Sequence, residues 1–117
     1  MTDTTTPVMR TLIYPVADLD SATELFRALF GAEPVMAAPY YVQFASGDLE
    51  VCLDPHGHGG AGHGPVAYWH VPDIETSLKA LLATGAETAQ GVRDVGGRRI
   101  ATVTTADGTV VGLLQQG

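Results

Sequence analysis

Two stretches of this sequence repeat each other and decide the fold. Residues 16–21 read Val-Ala-Asp-Leu-Asp-Ser, and residues 71–76 read Val-Pro-Asp-Ile-Glu-Thr, about 55 residues further along the chain. In each copy an aspartate precedes apolar residues at helical spacing. The pattern therefore predicts two helices, the first with Asp18 and the second with Asp73 as its N-cap.

Both predicted helices end at the same three residues. Residues 31–33 and 85–87 both read Gly-Ala-Glu, and glycine readily adopts the left-handed conformation that closes a helix. One apolar face is predicted for each helix, made in the first by Leu19, Ala22, Leu25, Phe26, Leu29 and Phe30, and in the second by Ile74, Leu78, Leu81 and Leu82.

Strand patterns surround each helix in the same order, with one strand before it and three after it. The predicted strands are residues 9–16, 33–37, 40–45 and 49–53 in the first half, and 66–71, 87–92, 99–105 and 109–115 in the second. Asp107 and Gly108 are a strong hairpin signal before the last strand. The segment 55–65, rich in glycine and histidine, is predicted to link the two halves.

Composition and charge exclude several classes of partner. The chain has 117 residues, with 6 Lys and Arg against 13 Asp and Glu, a net charge of -7. Nucleic acids and anionic membranes are therefore poor partners. No apolar run is long enough to span a membrane, and residues 1–7 lack the features of a signal peptide. The single Cys52 excludes an intramolecular disulfide, so we expect a cytoplasmic protein.

The duplicated strand-helix-three-strand pattern, with its two helix starts and its final hairpin, resembles the vicinal oxygen chelate superfamily. This group contains the glyoxalases, the bleomycin-resistance proteins and the extradiol dioxygenases. The resemblance covers residues 8 to 115 and implies an α+β fold of two tandem βαβββ modules, residues 8–54 and 66–116, joined by the linker in one domain. It also implies a cupped mixed β-sheet with the helices outside, and a homodimer.

The same resemblance implies where a metal would be held. In the superfamily's metalloenzymes, each module gives a ligand seven residues before the helix-capping aspartate and a glutamate from its last strand. These positions correspond here to Thr11, Glu50, Val66 and Gly112. Threonine is a weak ligand and the other two uncharged residues offer no side-chain donor, so only Glu50 remains. A catalytic metal needs about three protein ligands, and we therefore expect no cofactor.

Strand alternation gives the candidate ligand-binding residues. If Leu49 and Val51 face the helix, then Glu50 and Cys52 face the cup. If Val66 faces the cup, alternation places Tyr68 and His70 on the same face and Trp69 on the opposite face of the strand. The sequence does not decide between Tyr40 and Tyr41, or between Arg98 and Arg99. The candidate ligand-binding residues are Tyr41, Glu50, Cys52, Tyr68, Trp69 and His70, and for each the competing interpretation is a packed side chain that needs no ligand.

Three histidines lie in the predicted linker, at positions 56, 58 and 63. Their spacing allows loose binding of zinc or nickel. Because a glycine-rich loop must lose much conformational entropy to form a site, we expect at most adventitious metal at His56, His58 and His63.

Three functions follow for a cup of this kind. The first is a metal-free protein that sequesters a flat, partly apolar small molecule through Tyr68, Trp69, His70 and the tyrosines of the first module. The alternative is a divergent metal-dependent lyase, isomerase or dioxygenase that uses Glu50 and His70. The third is a metal-free enzyme in which His70 or Glu50 is the general base. The sequence alone does not decide whether the protein is an enzyme.

Overall fold

The structure is a computed structural model that describes residues 7–60 and 63–116. The chain forms two compact units. The first unit is Arg10–Val66, and the second consists of residues 67–116 with residues 7–9. The described part of the histidine-rich segment thus belongs to the first unit. Within the described ranges, no helix combines the length and the apolar character needed to cross a membrane.

The first unit is built on strands β1 to β4 and one helix. They are β1 (Val8–Pro15), α1 (Leu19–Phe30), β2 (Met36–Ala38), β3 (Tyr41–Ser46) and β4 (Leu49–Asp54). The strand order is β2-β3-β4-β1. β3 runs antiparallel to both of its neighbours, whereas β1 and β4 are parallel. Parallel strands need a crossover connection between them, and α1 provides it.

The second unit repeats this arrangement. Its elements are β5 (Val66–His70), α2 (Ile74–Leu82), β6 (Glu87–Val95), β7 (Arg98–Thr104) and β8 (Val110–Gln115). The order is β5-β8-β7-β6, with β5 and β8 parallel and the other pairs antiparallel. The predicted α+β architecture, a strand, a helix and three strands given twice, is confirmed.

The helix starts match the prediction in both units. The Asp18 carboxylate accepts the backbone N–H groups of Asp20 at 3.0 Å and Ser21 at 3.2 Å. Asp73 accepts those of Glu75 at 3.1 Å and Thr76 at 3.4 Å. These bonds satisfy N–H groups that have no partner inside the helix.

The helix ends match in one unit only. Gly31 has φ 63° and closes α1 as predicted. α2 instead ends at Leu82, where Ala83 is still right-handed, and Gly85 reaches φ 102° only after a further turn. The prediction that Gly85 closes the second helix directly is therefore wrong, because residues 83–85 form a turn after the helix has ended.

Each helix packs on one face of the sheet of its own unit. In the first unit Phe26 lies with Val42, Phe44, Val51 and Leu53 in a buried cluster. Leu19, Ala22 and Phe30 pack against that cluster. In the second unit Val71, Ile74, Ala101 and Leu113 are buried together, and Leu78 and Leu81 pack on them.

Two residues predicted for the apolar face of α1 lie outside it. Leu25 and Leu29 are 65% and 69% exposed. The buried stripe runs through Leu19, Phe26 and Phe30, and helical rotation carries Leu25 and Leu29 past its edge. The predicted face was thus too wide. Leu82 of α2 is similarly outside its core, at 38% exposure.

The N-cap of α1 gives a prediction about acid stability. Hydrogen bonds from the Ser21 backbone and hydroxyl lower the pKa of Asp18 below its usual value of 3.8. A carboxyl whose pKa is lower in the folded state stabilises the fold above its unfolded pKa, and this contribution is lost as the pH falls through the folded pKa. We expect Asp18→Ala to lower Tm at neutral pH, and Asp18→Asn to lower it less and to remove this part of the pH dependence.

The measurement is thermal unfolding followed by circular dichroism between roughly pH 2 and pH 7. Asp48→Asn, at an exposed turn residue, is the matched control and is expected to keep the wild-type Tm. An Asp18→Ala protein with the Tm of the wild type across this range would contradict the capping role.

Candidate functional site

The face of each sheet that lies away from its own helix, termed the inner face here, carries the candidate residues. In the first unit Val42, Phe44, Val51 and Leu53 pack against α1. Successive residues of a strand point to opposite faces, so the alternate residues lie on the inner face. These are Thr11, Ile13, Tyr41, Gln43, Glu50 and Cys52. Tyr41 is therefore the inward tyrosine, whereas Tyr40 lies in the preceding turn and is 69% exposed.

Glu50 is held by a hydrogen bond across the parallel strand pair. Thr11 lies directly opposite it in β1. The Thr11 hydroxyl donates to Glu50 Oε1 at 3.0 Å. Thr11 is fully buried, whereas Glu50 is half-buried. A threonine at the expected ligand position therefore orients a carboxylate that other molecules can still reach.

Cys52 is covered by a tyrosine. The Tyr41 hydroxyl donates to Cys52 Sγ at 2.9 Å and lies 3.3 Å from Gln43 Oε1. Cys52 is fully buried, while Tyr41 and Gln43 are half-buried. The thiol is therefore part of the wall under the inner face, and Tyr41 and Gln43 present the polar groups that a ligand would meet.

In the second unit the inner face is marked by one row across all four strands. Tyr68 lies opposite Gly112, Gly112 opposite Thr102, and Thr102 opposite Gln90. Ala101 and Leu113, the neighbours of two of these residues, pack against α2. The row therefore points away from α2, on the inner face.

The side chains of His70 and Trp69 lie on opposite faces of β5. Tyr68 and His70 share the inner face, as predicted. Trp69 lies opposite Leu113, on the face that α2 covers, and is 39% exposed. Trp69 was predicted among the ligand-binding residues, but it does not share a face with Tyr68, because adjacent strand residues point in opposite directions.

The Tyr68 ring occupies the space over Gly112. A Cβ atom at position 112 would lie 2.6 Å from Tyr68 Cδ2 and 2.8 Å from the carbonyl oxygen of Ala67. Real Cβ atoms do not approach other atoms this closely. Tyr68 itself is 1% exposed. Where the resemblance implies a glutamate, this sheet has a buried aromatic ring packed on a glycine.

Gln90 is a site residue that the sequence did not indicate. Its backbone N–H donates to Thr102 Oγ1 at 3.1 Å, and its Oε1 is buried with no hydrogen-bond partner among the residues that the structure describes. An unsatisfied buried acceptor costs about 1–3 kcal/mol. β6 has register shifts on both sides of Gln90, which place this residue opposite Thr102. No sequence signal predicted these irregularities.

The two arginines of β7, Arg98 and Arg99, also lie on opposite faces of the sheet. Arg99 Nη2 donates to Glu75 Oε2 at 2.6 Å and so lies on the α2 side. Arg98 shares the inner face with Ile100 and Thr102 by alternation, and it is half-buried. Of the two candidates, Arg98 is the one that can meet an anionic group of a ligand on this face.

The residues at the four expected ligand positions do not fit a metal ion. Thr11 is bonded to Glu50, Val66 is apolar and Gly112 lies under the Tyr68 ring. Within residues 7–60 and 63–116, no group of three or more histidine, cysteine, aspartate or glutamate side chains is placed to hold a metal. Of these four residues, only Glu50 has a side chain with the donor chemistry that binds a divalent metal well.

The linker histidines do not converge on one point either. The rings of His58 and His63 meet edge to face, with centroids 4.9 Å apart. Burial and the nearby His63 lower the pKa of His58 below 6.5. His56 is exposed, and its backbone N–H donates to Asp54 Oδ1 at 2.8 Å. The ring contact therefore brings together only two of the three histidines considered for loose metal binding, His58 and His63.

Comparison with solved structures shows the fold. The chain is similar to a glyoxalase/bleomycin resistance protein/dioxygenase superfamily member from Vibrio splendidus 12B01, with 20% identity and a TM-score of 0.67 over 95% of this chain and 100% of that one. It is also similar to methylmalonyl-CoA epimerase from Mycobacterium tuberculosis, with 17% identity and a TM-score of 0.71 over 100% of this chain and 93% of that one.

A third structure is the methylmalonyl-CoA epimerase of Streptomyces coelicolor in complex with 2-nitronate-propionyl-CoA, at 15% identity and a TM-score of 0.70 over 94% of each chain. No protein-family model matches the sequence. No curated protein matches it either. At these identities the likeness concerns the fold and not the activity.

The contact between Tyr68 and Gly112 predicts a cost for any side chain at position 112. We expect Gly112→Ala to destabilise the protein by about 1–3 kcal/mol, because the new methyl group overlaps the ring and the Ala67 carbonyl. Urea unfolding measures this change. Gly91→Ala is the matched strand control, since a Cβ there meets nothing within 4 Å. Equal urea midpoints for Gly112→Ala and the wild type would show that the ring does not lie there.

The bond between Thr11 and Glu50 is measurable by a double-mutant cycle. Both residues have further interactions, so single variants alone do not isolate this bond. We expect a coupling free energy of about 1–2 kcal/mol between Thr11→Val and Glu50→Ala in urea unfolding. Pairing Thr11→Val with Glu33→Ala, an exposed glutamate that binds Arg27, is the control and should give additive changes. Additivity in the Thr11–Glu50 cycle as well would exclude the bond.

Proposed function

We propose that this chain, whose fold is that of the glyoxalase/bleomycin resistance/dioxygenase superfamily, is a small-molecule-binding protein that works without a metal ion. Its ligand is a partly apolar molecule with hydrogen-bond donors, bound through inner-face residues. The protein sequesters this ligand and does not transform it.

One observation carries the proposal, which is the Tyr68 ring over Gly112. A carboxylate at position 112 would need the volume that the buried ring fills, 2.6 Å from where its Cβ would stand. At the position where the resemblance implies a carboxylate ligand, the second unit therefore has a glycine under a buried aromatic ring. Because Tyr68 is 1% exposed, its ring acts by excluding a metal-binding carboxylate, and this favours an organic ligand over a cation on the inner face.

The exposure of the candidate residues shows which of them a ligand can contact and which only support the others. Cys52 and Tyr68 are 0% and 1% exposed, so they form walls. Tyr41, Glu50 and His70 are half-buried and present polar atoms at the surface of their sheets. The two carboxylate oxygens of Glu50 accept hydrogen bonds. The ligand is therefore expected to donate hydrogen bonds to these acceptors.

The comparison structures support the ligand class only in general terms. One of them holds a coenzyme A derivative, 2-nitronate-propionyl-CoA, which is a small organic molecule. Cytoplasmic location and a homodimer remain parts of the proposal. Light scattering after size-exclusion chromatography measures the second of these directly.

A metal-dependent lyase, isomerase or dioxygenase is the competing function, and metal binding tests it. We expect untagged protein to carry no stoichiometric metal from the inner faces. Calorimetric titration with zinc, nickel, manganese and iron(II) should give at most weak binding, unchanged in Glu50→Gln and lost when His56, His58 and His63 are all replaced by Ala. One tightly bound equivalent that Glu50→Gln abolishes would overturn the proposal.

Ligand binding is tested with the same variants. In a screen of aromatic and antibiotic-like compounds by ¹⁵N NMR, binders should shift the amide signals of Tyr41, Glu50 or Gln90. Glu50→Gln should weaken the binding that shifts Glu50, whereas Glu33→Gln, on an exposed residue of the same unit, should not. Turnover of a bound compound that Glu50→Gln or His70→Ala abolishes would instead identify a metal-free enzyme.

A further inference from the structure

We infer that the cleft between α1 and strands β2 and β3 binds a small organic cation, an ammonium or amidinium group on an apolar body. This α1–β2 cleft has a volume of about 320 Å³ and lies wholly within the first unit. Its apolar wall includes Leu19, Pro34, Ala38, Pro39 and Val42. Val42 belongs to the cluster packed under α1, so the cleft opens on the helix side of the sheet and is separate from the inner face.

Several hydrogen-bond donors beside this cleft are bonded to carboxylates of the protein. The start of α1 would ordinarily attract an anion, but the backbone N–H groups of Asp20 and Ser21 are bonded to the Asp18 carboxylate. Arg27 lines the cleft, and its Nε donates to Glu33 Oε1 at 3.0 Å. Its Nη1 donates to Glu24 Oε2 at 2.5 Å. Two backbone N–H groups and two N–H groups of Arg27 are therefore bonded to carboxylates of the protein.

Two polar side chains of the lining, besides Arg27, offer acceptors to a ligand. The Thr23 hydroxyl donates its hydrogen to the carbonyl oxygen of Leu19, at 2.7 Å. The hydroxyl oxygen can therefore only accept a hydrogen bond from a ligand. Asp20 adds an exposed carboxylate to the lining. Glu24 and Glu33 are bonded to Arg27, so the carboxylates of Asp20, Glu24 and Glu33 outnumber the single guanidinium at the cleft and beside it. The local charge is therefore negative and complementary to a cation.

The shape of the cleft is set by rigid residues. Pro34 and Pro39 stand on either side of β2, and proline fixes its own φ. Val42 and Thr23 are 4% and 9% exposed and are held by the core and by the helix. A wall that is already ordered loses little entropy when a ligand binds. The volume is at the lower end of ligand clefts and admits one ring with one charged group.

The test uses benzamidine as the probe and benzoate, with the same ring and the opposite charge, as its control. In ¹⁵N NMR titrations of the full chain, benzamidine should give saturable shifts at Thr23, Ala38 and Val42, and benzoate should not. Asp20→Asn should weaken binding about threefold to fivefold, as expected for a partly exposed ion pair. Asp48→Asn, in the exposed turn between β3 and β4, should leave the affinity unchanged.

A second variant tests the cleft itself without changing charge. Ala38→Leu should abolish the shifts because its side chain fills the cleft, and an unchanged dispersion of the other amide signals shows that the unit is folded. Three outcomes would overturn the inference. They are the absence of saturable shifts with benzamidine, equal affinity for benzoate, and equal affinity of Asp20→Asn and the wild type.

Discussion

Each unit depends on the parallel pairing between its first strand and its last. β1 lies against β4, and β5 lies against β8. Two parallel strands cannot be joined by a tight turn, so each unit needs a helical crossover, and that helix covers one face of the sheet. This covered face holds the apolar cluster under the helix, and the inner face carries the polar candidate residues among further buried apolar ones. The pairing also fixes which side chains meet, with Thr11 beside Glu50 and Tyr68 beside Gly112.

The periodic features of the fold were predictable because each is local. The aspartate caps, the order of the elements and the inward direction of Glu50 follow from patterns that span a few residues. The structure decided in favour of Tyr41 over Tyr40 because the core takes Val42 and Phe44. Alternation then assigned Arg98 and Arg99 to opposite faces in the same way.

Tertiary packing and local irregularities were not readable from the sequence. Leu25 and Leu29 have helical spacing, but the core is narrower than the apolar stripe. The first strand after α1 was expected over residues 33–37 and is in fact Met36–Ala38, between two prolines. Gln90 enters the row with Tyr68 only through the register shifts of β6. The contact between His58 and His63 likewise depends on the path of a glycine-rich loop.

The close fit of the Tyr68 ring and Gly112 makes these two positions epistatic. If a carboxylate is introduced at position 112 before Tyr68 changes, it overlaps the ring and the Ala67 carbonyl. If Tyr68 is shortened before position 112 changes, a buried aromatic side chain is lost and a cavity remains. Either order of substitution passes through a less stable protein. A carboxylate can therefore replace Gly112 without this loss of stability only if position 68 changes together with it.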